Sequence, residues 1–183
     1  MPMYISNATH AVVNLPELLA SREARQTRQQ EWLNQYAATL ISLTVVAPGP
    51  VKDSVLTRRI FNYALRAIRQ LAENSGWEIK RQRCLSPTTG PEALLAINAP
   101  ANLVKQAAIE LEQQHVLGRL WDIDVLTPQG KILSRSDFSL PARRCLVCPQ
   151  TAAVCARERA HPQAELLNRM EALLHDADSS ASR

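Results

Sequence analysis

The sequence predicts an α+β fold in which amphipathic helices cross over one face of a β-sheet. Residues 39–47 (TLISLTVVA) are apolar and β-branched almost throughout, which is typical of a central strand buried on both faces. Residues 55–74 and 101–116 each repeat apolar residues at helical spacing. Strands interleaved with two such helices favour one sheet with two crossover helices.

An added helix is predicted before this core, over residues 15–36. Asn14 can cap its first turn, and Pro16 suits that turn because the amide it lacks would have no partner there. The middle of the helix is polar on nearly every face, with arginines at 22, 25 and 28. Such a helix either lies solvated on the domain or offers a docking surface, and both interpretations stay open.

The remaining segments give the order of the strands but not their arrangement. Residues 77–85 and 92–98 are predicted strands, followed by RLWDIDVL (119–126) and the short KILS (131–134). The order β-α-β-β-α-β-β fits a ferredoxin-like sheet. A nucleotidyltransferase-palm-like sheet of different strand order fits as well, because the sequence does not reveal which strands are neighbours.

The length of 183 residues predicts a single domain over residues 1–183. Its core is expected over about residues 38–134. A basic, cysteine-containing C-terminal appendage follows over about residues 135–176, and residues 163–175 within it regain helical periodicity.

Composition argues against several classes of partner. The chain has 21 Lys+Arg and 17 Asp+Glu, a net charge of +4, and only 4% aromatic residues. This mild charge permits a polyanionic partner, but the sparse aromatics give no stacking platform, so no nucleic acid is expected. The sequence contains neither a long apolar run nor a secretory signal, which predicts a cytoplasmic protein with no membrane partner.

Two carboxylates are predicted on one face of a strand. In GRLWDIDV, alternation points Trp121, Ile123 and Val125 to one side and Asp122 and Asp124 to the other, about 7 Å apart. Paired carboxylates in an apolar strand are costly unless cations meet them, and Mg²⁺ with substrate phosphates would do so. The alternative is a wet edge strand in which each aspartate pairs with an arginine.

A glycine turn precedes the first crossover helix. Gly49 and Lys52 lie in PGPVK, just before the helix that contains Arg58 and Arg59. Backbone amides at such a turn, together with the helix dipole, can bind an anion. The motif is not a Walker P-loop, and an ordinary strand-to-helix turn with a solvated lysine explains it equally well.

The cysteines near the C-terminus have the spacing C-x2-C-x6-C, and five residues separate the last one from a histidine. Three thiolates and an imidazole can form a tetrahedral structural zinc site. Reduced or redox-sensitive thiols are the alternative. The candidate ligands are Cys145, Cys148, Cys155 and His161.

Five stretches together resemble a known family. They are VVAPGPVKDS, TRRIFNYAL, HVLGRLWDIDVLTP, SLPARRCLVC and AAVCAR. Their order and spacing are similar to those of apo-citrate lyase phosphoribosyl-dephospho-CoA transferases, also called holo-citrate lyase synthases. The resemblance extends over essentially the whole chain.

The resemblance implies a nucleotidyltransferase that matures citrate lyase. Such an enzyme transfers phosphoribosyl-dephospho-CoA from triphosphoribosyl-dephospho-CoA to a serine of the citrate lyase acyl carrier protein, the gamma chain. A phosphodiester forms and pyrophosphate leaves. On this basis Asp122 and Asp124 are expected to be catalytic and to hold Mg²⁺. The residues expected to compensate the other phosphate charges are Gly49, Lys52, Arg58, Arg59, Arg119, Arg143 and Arg144.

Two other functions stay open from the residues themselves. The same chemistry could serve another carrier, such as that of malonate decarboxylase. The chain could instead be a non-catalytic module that binds a carrier protein through its basic C-terminal segment. The second alternative predicts no pyrophosphate release and tolerance of Asp122→Asn.

Overall fold

A computed structural model describes residues 7–181 of the chain. The N-terminal helix and the first four strands and two crossover helices lie close to the predicted boundaries. The helices and strands are α1 (Leu15–Tyr36), β1 (Thr39–Val45), α2 (Val55–Asn74), β2 (Glu78–Leu85), β3 (Glu92–Asn98), α3 (Ala101–Gln114), β4 (Trp121–Leu126), β5 (Ile132–Leu133), α4 (Ala152–Glu158) and α5 (Gln163–Ala181).

The described strands form one sheet in the order β2-β3-β1-β4-β5, and every neighbouring pair is antiparallel. The α+β class predicted from the sequence is therefore confirmed. Strand β1 lies in the centre, as its continuous apolar run predicts. Strand β5 pairs with β4 at two positions, opposite Val125 and Leu126. No other described strand lies beside β4 on that side.

The larger core fills the face of the sheet covered by α2, α3 and α5. Ile41 and Leu43 of β1 meet Phe61 of α2, and Trp121 and Ile123 of β4 point into the same cluster. All five are at most 2% exposed. Helix α5 contributes four buried residues to this cluster although it lies beyond the predicted core boundary at residue 134; they are Met170, Leu173, Leu174 and Ala177.

Helix α1 covers part of the opposite face. Its C-terminal half buries Trp32 and Leu33 against Leu40 of β1 and Leu126 of β4. Its N-terminal half has no buried residue before Gln29 and stands over polar residues of the sheet. This division leaves room for a cleft between the helix and the sheet.

Two arginines fix α1 to the sheet. Arg25 Nε lies 2.7 Å from Glu92 Oε2, and Arg28 forms a second ion pair with the same carboxylate. Glu92 is almost completely buried at the start of β3. The polar face of α1 is thus partly packed against the domain. Among the described helices, none combines the length and apolar character that a membrane crossing requires.

Candidate functional site

Strand β4 presents its two aspartates toward α1. Asp122 lies opposite Thr44 of β1, and Asp124 lies opposite Ser42. Their neighbours Trp121 and Ile123 point into the larger core. The two-residue period of a strand therefore puts both carboxylates on the same face, next to two hydroxyl side chains.

The two carboxylates, called here the acid pair, have one ion-pair partner among residues 7–181. The Asp122 side chain is 50% exposed, and its nearest basic partner is Arg143 at 3.3 Å. Burial and the neighbouring charge of Asp122 raise the pKa of Asp124 above its ordinary value. A divalent cation between such carboxylates would relieve this repulsion, and the oxygen donors present suit Mg²⁺.

Charged side chains take the place of a neighbouring strand along the edge of β4. Arg143 Nη1 donates to the carbonyl oxygen of Trp121 at 2.9 Å. Lys105 Nζ donates to the carbonyl oxygen of Ile123 at 3.0 Å, and the amide of Ile123 donates to Glu112 Oε1 at 3.3 Å. These bonds satisfy backbone groups that the short β5 does not reach.

Glu112 connects this edge to the C-terminal segment. Its carboxylate forms an ion pair with Arg143 and a longer one, 3.5 Å, with Arg135. Burial raises the pKa of Glu112, although the charges of Arg143 and Lys105 act in the opposite direction. The acid pair thus rests on a buried charged network anchored in α3.

A cleft of about 410 Å³, called here the acid-pair cleft, lies between α1 and the sheet. The acid pair lines one side, and Arg22, Arg25 and Lys52 bring positive charge to it. Lys52 Nζ donates to the carbonyl oxygen of Ala47 at 2.5 Å. Burial and the charge of Arg22 lower the pKa of Lys52. Cations and carboxylates facing one cleft are the composition expected where phosphate groups meet a metal ion.

The other predicted phosphate ligands are divided among several places. Gly49, Arg119 and Arg143 line a second cavity, beside the Cys-His segment. Arg144 is exposed, and its backbone pairs with that of Thr151.

Two predicted phosphate ligands engage acidic side chains elsewhere. Arg58 is buried with Asp53, its Nε 2.6 Å from Oδ1 and its Nη2 2.8 Å from Oδ2. Arg59 lies 2.6 Å from Asp178 of α5. Neither arginine lines the acid-pair cleft or the second cavity.

Sequence reasoning missed four residues of this region. Arg22 and Arg25 were visible as arginines three apart on α1, without a sign of what they face. Lys105 and Glu112 carried a clearer signal, because they occupy the same helical face as Val104 and Ala108. Charged residues seven apart on an apolar face indicate a buried polar contact.

The predicted zinc ligands come together. Their four ligand atoms all lie within 4.8 Å of one another, an arrangement that can bind a metal ion such as zinc. Cys148 Sγ lies 3.4 Å from Cys155 Sγ and 3.3 Å from His161 Nε2. His161 Nδ1 faces Glu165 Oε2 at 3.3 Å, which orients the imidazole. We call Cys145, Cys148, Cys155 and His161 the Cys-His cluster.

The thiols of the Cys-His cluster differ in acidity. Burial raises the pKa of the Cys145 thiol, but backbone amides of Val147 and Cys148 and the nearby thiols outweigh it and bring the pKa to about 6. Burial and the thiols of Cys148 and Cys145 raise the pKa of Cys155 to about 12. Three thiols this close cannot all ionise without a cation to balance them.

Comparison of the amino-acid sequence with those of known proteins shows the family to which the chain belongs. An apo-citrate lyase phosphoribosyl-dephospho-CoA transferase from Citrobacter koseri is 59% identical over 180 residues, 98% of each chain. Enzymes of the same name from Shigella boydii and Escherichia coli are 59% identical over 172 residues, 94% of each chain. The family model described as apo-citrate lyase phosphoribosyl-dephospho-CoA transferase matches residues 13–177, a range that contains the acid pair and the Cys-His cluster. The chain therefore belongs to the apo-citrate lyase phosphoribosyl-dephospho-CoA transferase family.

Proposed function

We propose that this chain transfers phosphoribosyl-dephospho-CoA from triphosphoribosyl-dephospho-CoA to a serine of the citrate lyase acyl carrier protein, the gamma chain. The observation that carries the proposal is the acid pair, two carboxylates on one strand face in a cleft lined by Lys52 and arginines. The family membership supplies the donor and acceptor. The acid-pair cleft supplies groups suited to a triphosphate.

The reaction is a substitution at phosphorus. The serine oxygen of the carrier forms a bond to the first phosphorus of the ribosyl triphosphate, the one bound to the ribose. The bond from that phosphorus to the oxygen that bridges it to the second phosphorus breaks. Pyrophosphate leaves with the electron pair, and the serine proton passes to solvent or to a nearby base. Negative charge grows on the phosphate oxygens, so positive groups fixed around them lower the barrier.

Asp122 and Asp124 are the residues that would hold Mg²⁺. The donor set fits, because both are carboxylates on one face and the pKa of Asp124 is raised by burial and by Asp122. When bound, Mg²⁺ supplies a positive charge that polarises the phosphates and stabilises the leaving pyrophosphate. Arg143 orients Asp122 through its contact at 3.3 Å.

The cations of the acid-pair cleft are suited to bind the phosphate groups of the donor. Lys52 is held at the cleft by Ala47, so its ammonium group is positioned before a ligand arrives. Arg22 faces the same cleft and is exposed. We propose Lys52 and Arg22 as phosphate ligands, in place of Arg58 and Arg59, which bind carboxylates outside the acid-pair cleft. Arg25 also lines the cleft, but its guanidinium group already pairs with Glu92.

The Cys-His cluster is proposed as a structural zinc site. Four protein ligands fill a tetrahedral coordination shell and leave no position for substrate. The chain from Cys145 to His161 carries only the seven-residue helix α4, so a metal ion would supply much of its order. Within the part of the chain that the structure describes, no disulfide joins the four cysteines. We propose that the protein acts in the cytoplasm, where thiols stay reduced.

The order of the first four strands supports the ferredoxin-like alternative for the core. In that arrangement β1 lies between β3 and β4, and the two crossover helices share one face of the sheet. The described strands have this order, with β5 added beside β4. We therefore propose a ferredoxin-like core rather than a nucleotidyltransferase palm.

The test is a transfer assay with the purified chain, apo carrier protein, donor and Mg²⁺. We expect the carrier to gain the mass of one phosphoribosyl-dephospho-CoA unit while pyrophosphate is released. Asp122→Asn and Asp124→Asn should each lose about a hundredfold or more of this rate, because charge stabilisation at the phosphates is worth several kcal/mol. Asp176→Asn, an exposed change on α5, is the matched control.

Three outcomes would redirect the proposal. Transfer to the malonate decarboxylase carrier in preference to the citrate lyase carrier would change the acceptor and keep the chemistry. Carrier binding without pyrophosphate release would indicate a non-catalytic module. Undiminished transfer by both aspartate variants would remove the acid pair from the mechanism.

A further inference from the structure

The second cavity of the molecule, called here the C-terminal cavity, is not used by the chemistry at the acid pair. It measures about 650 Å³ and lies between residues 46–49, which follow β1, and the segment from Arg143 to Leu166. Val46, Pro48 and Leu146 give it apolar walls. Its volume is in the range of sites that bind a molecule the size of a nucleotide.

Positive charge is concentrated in the C-terminal cavity. Arg119, Arg143 and Arg159 line it, and none of the described lining residues is acidic. Arg119 and Arg159 form no ion pair with any residue between 7 and 181. Burial and the charge of Arg143 lower the pKa of Arg119. Arg143 binds Glu112 and Asp122, whereas the guanidinium groups of Arg119 and Arg159 have no carboxylate partner within residues 7–181. These two groups, above apolar walls, fit a ligand that has both phosphates and carbon-rich parts.

The C-terminal cavity adjoins the acid-pair cleft. Ala47 lines both. Arg143 lines the C-terminal cavity, and its Nη1 reaches Asp122 Oδ1 at 3.3 Å. A long ligand can therefore place one end at the acid pair and extend past Ala47 and Arg143 into the C-terminal cavity.

We propose that the C-terminal cavity binds the dephospho-CoA part of the donor. This inference rests on the proposed function, which places the ribosyl triphosphate end of the donor at the acid pair. Dephospho-CoA consists of a purine nucleoside, a diphosphate and a pantetheine arm, in which methyl and methylene groups alternate with two amides. The purine and the hydrocarbon parts of the arm pack on the apolar walls, and Arg119 and Arg159 bind the diphosphate.

The Cys-His cluster forms one wall of this site. Cys145, Cys155 and His161 all border the C-terminal cavity. Between residues 143 and 161, Cys155 is the one buried residue, so apolar packing contributes little to holding the wall. The cluster thus determines the shape of the donor site although its residues do not take part in the transfer.

The experiment measures binding of 3′-dephospho-CoA to the full chain by isothermal titration calorimetry. This probe lacks the ribosyl triphosphate and cannot react, so its binding is independent of the transfer chemistry. Ala156→Trp fills the C-terminal cavity, and we expect it to weaken binding about tenfold or more. Val154→Trp adds the same side chain to α4 outside the cavity and should leave binding unchanged.

A second pair of variants tests the charge. Arg159→Gln removes one guanidinium from the cavity and should weaken 3′-dephospho-CoA binding about tenfold, as expected for loss of a charge-assisted hydrogen bond. Arg157→Gln makes the same change on α4 away from the cavity and should have little effect. In the transfer assay, Arg159→Gln should raise KM for the donor with little change in kcat.

The outcomes separate this inference from the proposed function. No binding of 3′-dephospho-CoA, or equal binding by Ala156→Trp, Arg159→Gln and wild type, would overturn the inference even if the chain transfers normally. Cavity-dependent binding without any transfer would keep the site and overturn the proposed function. Zinc content measured on each variant confirms that the substitutions leave the Cys-His cluster intact.

Discussion

Glu112 accepts a hydrogen bond from the backbone amide of Ile123, the residue between the two aspartates of the acid pair. The same carboxylate binds Arg143, which in turn contacts Asp122. A buried side chain of α3 therefore fixes both the strand that carries the acid pair and the arginine that orients one of its members. The strand edge is held by charges, which makes its position sensitive to single substitutions.

Glu112→Gln is expected to reduce transfer without unfolding the protein. Glutamine keeps the acceptor for the amide of Ile123 but removes the charge that holds Arg143. We expect kcat to fall about tenfold, with KM for the donor and the melting temperature changed far less. Glu110→Gln, an exposed change on the same helix, is the control. An equal loss of kcat in both variants would contradict a positioning role for Glu112.

Asp124→Asn is expected to stabilise the fold while it abolishes activity. The pKa of Asp124 is raised in the folded chain by burial and by Asp122. The folded chain therefore favours the protonated carboxyl of Asp124. Ionisation of this carboxyl destabilises the fold as pH rises from the pKa of Asp124 in the unfolded chain through its higher pKa in the folded chain. At pH 7 the variant should melt at a higher temperature than wild type, and the difference should shrink as pH falls through this window. A lower melting temperature at pH 7 would contradict the raised pKa.

The same variant separates Mg²⁺ binding from stability. Mg²⁺ should raise the melting temperature of wild type, because a ligand that binds only the folded state stabilises it. This increase should be lost in Asp124→Asn and kept in Asp176→Asn. Activity of wild type should fall on acidification at a higher pH than an ordinary aspartate would give, since the carboxylate is the form that binds the cation. A Mg²⁺ shift retained in Asp124→Asn would place the cation elsewhere.

Substitution of Arg58 is expected to lower the stability of the fold, whereas substitution of Arg22 is expected to weaken donor binding. Arg58→Met leaves Asp53 buried without its guanidinium partner, which should cost about 3 kcal/mol of unfolding free energy. Arg22→Gln removes an exposed cation from the acid-pair cleft and should raise KM for the donor while the melting temperature stays constant. Urea unfolding and steady-state kinetics on both variants distinguish the roles. If Arg58→Met had normal stability and a raised KM for the donor, Arg58 would instead be a phosphate ligand.

The alternation of residues along the sequence predicted which way the side chains of β4 point. It did not predict the ion pair at the start of α2 or the packing of α5 on the sheet. The alternation of Trp121, Asp122, Ile123 and Asp124 is a property of one strand, and the structure keeps it. The partner of Arg58 depends on how the loop before α2 folds back, which periodicity does not encode. Helix α5 joins the larger core through contacts with residues more than a hundred positions away, and helical spacing alone shows neither the partner nor the face of the sheet.

A side chain at Gly118 is expected to destabilise the fold. A Cβ at this position would overlap the backbone carbonyl group of Glu112, which belongs to the main chain of α3 and cannot rotate away. Gly118→Ala should therefore displace the short turn that leads into β4 and cost about 1–3 kcal/mol, as overpacking of a buried site does. Gly76→Ala meets open space but has a positive φ of 67°, so it measures the cost of backbone strain alone. A smaller loss for Gly118→Ala than for Gly76→Ala would contradict the close approach.

The Cys-His cluster should bind about one zinc ion per chain, and Cys148 should be essential to it. Cys148 lies in contact with both Cys155 and His161, so Cys148→Ser removes a central thiolate. Cys84→Ser makes the same change on β2, outside the cluster, and should keep the zinc. Metal analysis of the purified chains should show zinc in wild type and Cys84→Ser and little in Cys148→Ser.

The loss of zinc from Cys148→Ser should also lower the melting temperature, because a metal present at a thousand times its Kd stabilises the folded state by about 4 kcal/mol. Zinc at equal levels in all three proteins would contradict coordination by these residues, and zinc in none would favour reduced thiols.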